Sequence, residues 1–136
     1  MNVRITSLAS IFALAVSAPA LAHHGWGGYQ NAETNIVGTV VEQVNLAGAH
    51  ASIKLQGEDG QIWRVILSPP HSTVAAGIRE QTFPVGAKVT VSGHRHSDPS
   101  RLEMKTEELT MGQRTFNLYA WHWGPTDRGQ LADRQP

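Results

Sequence analysis

Short β-branched segments, separated by turns rich in glycine and proline, constrain the fold of this 136-residue chain more than any other feature. In one such segment Val89 and Val91 alternate with Thr90 and Ser92, which is the period of a strand with one buried face. Gly38, inside the first segment, predicts a bend or bulge of the kind found at barrel corners. The pattern predicts five strands: Ile36 to Val44, Ala51 to Leu55, Gln61 to Leu67, Ala87 to Gly93, and Leu102 to Met111, the last of which Thr115 to Tyr119 could extend.

A short helix is predicted between the third and fourth strands. Ser68 is a good N-cap, the prolines that follow it suit a first helical turn, and Gly77 supplies a C-terminal stop. Five short strands with one helix at this point fit an all-β domain, the small five-stranded Greek-key barrel of the OB-fold. A generic small β-barrel is the alternative.

The first 22 residues have the features of a secretory signal peptide: one basic residue, an apolar stretch, and small residues at Ala20 and Ala22. Cleavage after Ala22 would begin the mature chain at His23, and the alternative cleavage after Ala20 would begin it at Leu21. We therefore expect a periplasmic or secreted protein without a membrane anchor, because no later apolar run is long enough to span a bilayer. The predicted division is a signal peptide at 1–22, an extended arm at 23–35, a barrel at 36–119, and an aromatic segment with a disordered tail at 120–136.

Composition argues against several classes of function. Eleven basic residues balance eleven acidic ones, and signal removal takes away only Arg4, so no net charge draws the chain to nucleic acid or an anionic membrane. Cysteine is absent, which removes disulfides, a lipoprotein anchor and thiolate metal ligands. The chain has no catalytic serine turn, phosphate loop or zinc-protease helix, and the adjacent Glu107 and Glu108 would face opposite sides of a strand. We therefore expect neither an enzyme nor a nucleic-acid partner.

The pair His23-His24 stands out among seven histidines because it lies at the predicted new amino terminus. If His23 is the first residue, its amine and its ring can chelate one metal ion, with His24 as an adjacent donor. If Leu21 is first, the amine, two amides and the His23 ring can form a square-planar site that suits Cu(II) or Ni(II). His50, in a turn at the barrel rim, could complete the site. The hypothesis is a copper site at His23, His24 and His50. The alternative is that His23 and His24 belong to an incidental polar tail and that His50 is an ordinary solvated loop histidine.

The remaining histidines carry weaker signals. His94 and His96 are two residues apart, so in a strand they project from one face within reach of one ion, although a solvated strand end is the commoner explanation. His71, in the first turn of the predicted helix, is expected to be neutral and exposed. His122 lies between two tryptophans in a segment that either caps the core or forms a docking surface.

Several of these residues together resemble one family. They are His23-His24-Gly25-Trp26, Gly38-Thr39-Val40, Ala49-His50, the segment from Trp63 to Pro69, Gly77-Ile78, and the segment from Val85 to Gly93. Between His23 and Met111 the chain resembles the exported bacterial domain of unknown function 6152, whose members begin their mature part with His-His-Ser-aromatic and carry an Asn-Pro-His turn. Here Gly25 replaces that serine, and Gly48-Ala49-His50 replaces the turn, so only its histidine carries over. The resemblance implies a small periplasmic β-barrel without an assigned activity and draws attention to His23, His24 and His50.

Three functions are weighed from the sequence. The leading one is a non-catalytic periplasmic protein that binds a transition metal, copper above all, through its N-terminal histidines. The second is an interaction module in which the barrel and the aromatic segment dock onto an exported protein partner while the histidines are incidental. The third is a copper oxidase or oxygenase with an N-terminal histidine brace, which needs the amine, the same ring and a second imidazole around an open position. The sequence leaves the oligomeric state open.

Overall fold

A computed structural model of the protein describes residues 26–119. Nearly all the regular structure is β-strand, with one short helix in this part of the chain, as the sequence predicts. The elements in order are β1 (Tyr29–Asn45), β2 (Ser52–Gly57), β3 (Ile62–Ile66), α1 (Pro70–Ala75), β4 (Lys88–His96), β5 (Glu103–Met111) and β6 (Arg114–Asn117).

The strands follow the order β3-β2-β1-β4-β5-β6, and a further pairing between β3 and β5 closes the first five of them into a barrel. That closing pair is parallel, with Arg64 opposite Glu103 and Ile66 opposite Lys105, whereas the other pairs are antiparallel. The helix α1 lies between β3 and β4 in the chain. This arrangement is an OB-like barrel, so the predicted fold class is confirmed.

The interior is built from the apolar faces of alternating strands. Val89 and Val91 of β4 are buried, while Thr90 and Ser92, which alternate with them, are partly exposed, as the period of two predicts. Phe83 and Phe116 meet edge to face at 5.3 Å between ring centroids. The largest fully buried side chains are Phe83, Ile53, Leu55, Leu67, Ile78, Met104, Leu109, Leu118, Val40, Val65, Val89 and Val91.

The first strand bends, as Gly38 indicates. A side chain at Gly38 would lie only 2.9 Å from the Gln56 carbonyl oxygen, so the close approach of β2 requires glycine. The pairing of β1 with β2 changes register between Val40 and Glu42 and again before Asn45. These irregularities let one long strand pair with β2 along its second half and with β4 along its first.

Three local expectations are corrected. The first strand begins at Tyr29, not Ile36, because the polar residues placed in the predicted arm pair with β4, for example Glu33 with His94. The helix is capped at Pro69 without a side-chain cap; the Ser68 hydroxyl is buried and lies 2.9 Å from the Thr73 hydroxyl instead. The residues after Gly112 form a separate strand, β6, that turns back on β5 rather than extending it.

No helix within residues 26–119 is both long and apolar enough to cross a membrane.

Candidate functional site

Trp26, which precedes β1, packs its ring on the outer surface of the barrel. The ring centroid lies 5.3 Å from that of His94 on β4 and 5.5 Å from that of Tyr119. The ammonium of Lys105, on β5, lies 4.8 Å from the centroid of the same ring. Three side chains that are distant in sequence therefore meet one indole, and they hold the start of the described chain against β4 and β5.

Lys105 is a charged side chain on the outside of the barrel that is nevertheless only 3% exposed. The ring of Tyr29 also lies near its ammonium, at 5.9 Å. Burial lowers the pKa of Lys105 below its ordinary value, because an ammonium is less stable away from water. The aromatic faces partly offset that cost through cation–π attraction.

Glu103 anchors the other end of this surface. It accepts a 2.6 Å hydrogen bond from the Tyr29 hydroxyl and lies 3.3 Å from the guanidinium groups of Arg64 and Arg101. Burial raises the pKa of Glu103, but the hydrogen bond from Tyr29 and the two arginines outweigh burial, so its pKa is lowered overall. Burial and the neighbouring carboxylate raise the pKa of Tyr29. The group therefore fixes Tyr29, and with it the chain just after Trp26.

His94 is held from both sides of its ring. Its Nδ1 lies 2.9 Å from the backbone carbonyl oxygen of Gln30, and its Nε2 lies 3.3 Å from Oε1 of Glu107 on β5. The ring also meets Trp26 edge to face. These groups line a pocket of about 480 Å³, together with residues 27–31.

His50 lies in the loop between β1 and β2 and is partly buried. Burial lowers its pKa, and the positive charge of Lys105 lowers it further. Because the charge of Lys105 affects this pKa, His50 lies within electrostatic range of the Lys105 ammonium, which Trp26 covers. A lowered pKa keeps the imidazole neutral at pH 7, which is the form that binds metal ions.

The other histidines named from sequence separate into different surroundings. His96 contacts Tyr29, at 5.4 Å between ring centroids, and its Nδ1 accepts a hydrogen bond from the Asp98 backbone. His94 and His96 therefore have different partners. His71 is exposed and lies beside the Ser72 hydroxyl.

The structure describes neither end of the chain, so the two predicted ligands His23 and His24 and the tail residue His122 lie outside the described residues. Among residues 26–119, no three or more histidine, aspartate or glutamate side chains are grouped closely enough to hold a metal ion.

Sequence reasoning missed Lys105, Tyr29 and Glu103 as parts of this surface. Each lies in a polar stretch whose local pattern resembles an ordinary solvated strand. The partner that buries Lys105 is Trp26, far away in the sequence, so no local pattern could signal the contact. The sequence does show that Trp26 follows closely after the His pair. This was the one sequence signal that pointed toward a contact of Trp26 with the barrel.

Comparison with known proteins places the chain in a family. A model described as a family of unknown function, DUF6152, matches residues 12–105, and the chain belongs to this family. No curated protein matches it.

Several solved structures are similar to the chain. A TiaS mutant lacking its ZRD, in complex with agmatine, matches with a TM-score of 0.49 and 11% identity over 63% of this chain, which spans 26% of the TiaS chain. The S. pombe Stn1-Ten1 complex matches at 0.49 and 16% identity over 76% of this chain and 67% of that one. Yeast Stn1 and Ten1 match at 0.43 and 18% identity, over 76% and 56% of the respective chains.

Proposed function

We propose that this member of the family of unknown function is an exported, non-catalytic protein that binds a transition metal, with copper as the preferred ion, through His23 and His24. The observation that carries the proposal is the placement of Trp26 on the outer face of the barrel, in contact with His94 and Lys105. His24 precedes Trp26 by two residues, so covalent geometry keeps their Cα atoms within about 7 Å of each other. The covalent link to Trp26 therefore limits how far His24 can lie from this surface.

The chemistry of the amino terminus supports copper under either cleavage. A chain beginning at His23 offers an amine and an imidazole in one chelate. A chain beginning at Leu21 offers an amine, two amides and the His23 imidazole in a plane. Both sets are rich in nitrogen, and such sets bind Cu(II) more tightly than other divalent ions of the first row.

His50 is the ligand that we propose from the β1–β2 loop. Burial and Lys105 lower the pKa of its imidazole, so its lone pair is available at neutral pH. The same Lys105 charge weakens any cation bound there, so we expect His50 to contribute less than the amino terminus.

The test is a Cu(II) titration of the mature protein in competition with a chelator of known affinity. His23→Ala and His24→Ala should each weaken affinity by at least about tenfold, and His50→Ala should weaken it by less. His71→Ala is the matched control, since this exposed histidine lies beside the Ser72 hydroxyl and is not one of the proposed ligands. Unchanged affinity in the His23, His24 and His50 variants would contradict the proposal.

Binding without turnover separates this proposal from a copper oxidase. The copper-loaded protein, supplied with a reductant and oxygen, should produce no more hydrogen peroxide than an equal amount of copper held by a simple peptide chelate. Sustained peroxide production that His23→Ala abolishes would favour the oxidase instead.

A further inference from the structure

We infer that a cavity at one end of the barrel is a binding site for a small organic carboxylate, with Arg95 as the residue that binds the carboxylate group. The inference goes beyond the proposed function and does not depend on a metal ion. The cavity lies among the start of β3, the end of β4 and the loop from residue 97 to residue 102. Its volume is about 290 Å³, close to the lower end of the range of about 300–1,000 Å³ for small-molecule sites.

Arg95 lies at the end of β4 on the strand's inward face. It follows Val91 and Gly93 in steps of two, and both of these residues are buried, so the Arg95 side chain leaves the strand toward the barrel interior. Its guanidinium carbon lies 4.3 Å from the centroid of the Trp63 ring, and Trp63 is only 4% exposed. The apolar interior therefore ends at a stacked indole and guanidinium, and the contact fixes where the guanidinium lies.

The guanidinium of Arg95 has no acidic partner in the described part of the chain. By contrast, Arg64 and Arg101 each lie 3.3 Å from Glu103. Between residues 26 and 119 no hydrogen bond or ion pair reaches Arg95, and its Nε is enclosed without an acceptor. Guanidinium has five N–H donors, and leaving such donors unsatisfied costs free energy. A bound anion would supply acceptors to the terminal N–H groups of this partly exposed side chain, which lines the cavity.

Other residues that line the cavity supply a further donor and apolar surface. The Nδ1 of His96 accepts a hydrogen bond from the Asp98 backbone N–H at 3.0 Å, so in the neutral ring the hydrogen is on Nε2, which then donates. Pro99 and Leu102 add apolar contact area. Hydrogen-bond donors beside apolar walls suit a carboxylate that is attached to an apolar body.

One charge opposes an anion at this site. Among the described residues that line the cavity, Asp59 alone is acidic. Its Oδ1 accepts a hydrogen bond from the Gln61 backbone N–H at 3.0 Å within the turn between β2 and β3. Asp59 is exposed whereas Arg95 is partly buried, so solvent screens the charge of Asp59 more effectively. Asp59 therefore weakens anion binding without cancelling it.

The first test is a titration of the mature, metal-free protein with benzoate at constant ionic strength, followed by NMR of its N–H groups. Benzoate should cause saturable shifts of the backbone signals of Gln61 and Arg95 and of the indole N–H signal of Trp63. Benzamide has a similar shape without the charge and should leave these signals in place. This readout needs no variant, and the absence of saturable shifts with benzoate would overturn the inference.

Inorganic phosphate distinguishes a site for an organic acid from a site for any oxyanion. Phosphate should bind more weakly than benzoate, because it gains no apolar contact with Pro99 and Leu102. Phosphate binding that is tighter than benzoate binding would overturn the assignment of an organic ligand.

Variants then test the role of Arg95. Arg95→Gln should weaken benzoate affinity by at least about tenfold, because it removes charge-assisted hydrogen bonds. Arg95→Lys keeps the charge but loses the planar fork, so it should recover only part of that affinity. Arg114→Gln is the matched control, since Arg114 also stacks on a ring, that of Phe116 at 4.9 Å, but does not line this cavity. A folded Arg95→Gln variant that binds benzoate as tightly as the unmutated protein would overturn the inference.

Asp59→Asn should act in the opposite direction. The asparagine keeps an acceptor for the Gln61 backbone N–H and removes the opposing charge, so benzoate affinity should rise by about twofold. A fall in affinity would contradict an anion site at this end of the barrel. His23→Ala should leave benzoate affinity unchanged, so copper binding and carboxylate binding are tested independently.

Discussion

The inside of the barrel and the outer surface beneath Trp26 are both buried, but by different means. Inside, apolar side chains such as Val91 and Leu109 are fully enclosed by the strands themselves. Outside, Glu103 and Lys105 of β5 are 7% and 3% exposed although their side chains are charged. Here the covering groups are Trp26 and Tyr29, which come from the chain at and before the start of β1.

The difference separates an interior that specifies the barrel from an outer surface that buries charged side chains. Apolar burial is the main favourable term in folding, so the interior suffices to specify the barrel. Burying a charge costs free energy unless the charge is paired or its pKa shifts. Glu103 is paired with two arginines and Tyr29, and Lys105, whose pKa burial lowers, lies beside the rings of Trp26 and Tyr29. The outer surface therefore holds the start of the described chain through charged and aromatic contacts.

The largest effect should come from the interior. Leu109→Ala removes a fully buried side chain and should lower the free energy of unfolding by about 2–5 kcal/mol. Urea denaturation of the mature protein without metal measures the loss. Copper affinity per folded molecule should remain the same, because Leu109 faces away from the pocket. A large drop in copper affinity, measured without denaturant at a temperature where the variant is folded, would show that the interior and the outer surface are not independent.

Tyr29→Phe should have the next largest effect and should act on the outer surface. It removes the 2.6 Å hydrogen bond to Glu103 while the two arginines remain, and should lower the free energy of unfolding by about 1–2 kcal/mol at pH 7. The sign of its pH dependence follows from Glu103. A carboxyl group with a lowered pKa in the folded state contributes stability above its ordinary value of 4.5 and loses it as the pH falls below that value.

The variant should therefore be less sensitive to acid than the unmutated protein, since the hydrogen bond from Tyr29 is part of what lowers the pKa of Glu103. Stability curves from pH 7 down to about pH 3 should converge as Glu103 becomes protonated in both proteins. Curves that stay parallel over that range would contradict the role given to Glu103. Tyr119→Phe is a control, because burial and Glu107, not Glu103, raise its pKa.

Trp26→Ala should release the amino-terminal segment with little effect on the barrel. We expect copper affinity to fall about tenfold, equivalent to about 1.4 kcal/mol, because the ligands lose their fixed position. Chelator competition measures the affinity, and circular dichroism should show an unchanged β spectrum. Trp26→Phe is the matched variant, which should restore most of the affinity by keeping an aromatic face over Lys105.

Glu108→Gln should change the free energy of unfolding least, and it should raise this free energy rather than lower it. Burial and the neighbouring Glu33 and Glu107 raise the pKa of Glu108, so its charged form costs stability at pH 7. The amide should raise the free energy of unfolding by less than about 1 kcal/mol, and the gain should disappear as the pH falls through the raised pKa. Glu42→Gln is the control: this exposed glutamate pairs with Lys54, so its loss should be neutral or slightly destabilising.

The same contrast explains what the sequence could predict. Alternation placed Val89 and Val91 inside the barrel, and the turn signals placed the helix between β3 and β4, because both patterns are local consequences of burial on one face. The start of β1 at Tyr29 was missed, since residues 30–33 are exposed and show no alternation although their backbone belongs to the strand.

The candidate site was only partly predictable for a related reason. His50 and His94 were visible as residue types, but their partners Lys105 and Glu107 are determined by strand register across the barrel. The irregular pairing between Ser92 and Gly93 adds a residue on β5 and so decides how Glu107 lies relative to His94. Gly93 is the sequence mark of this bulge, because a side chain there would lie 2.1 Å from the Lys105 carbonyl oxygen, but a single sequence does not give the register that follows from it.

The central claim is that the amino terminus carries a stoichiometric metal site. Native mass spectrometry of the protein purified from the periplasm, before and after one equivalent of Cu(II), tests it most directly because it reads the true first residue and the metal ratio together. The account predicts a chain that begins at His23, or at Leu21, and retains one copper ion against a mild chelator. A correctly processed chain that takes up copper weakly and in no fixed ratio would contradict the account and favour a protein-interaction module with incidental histidines.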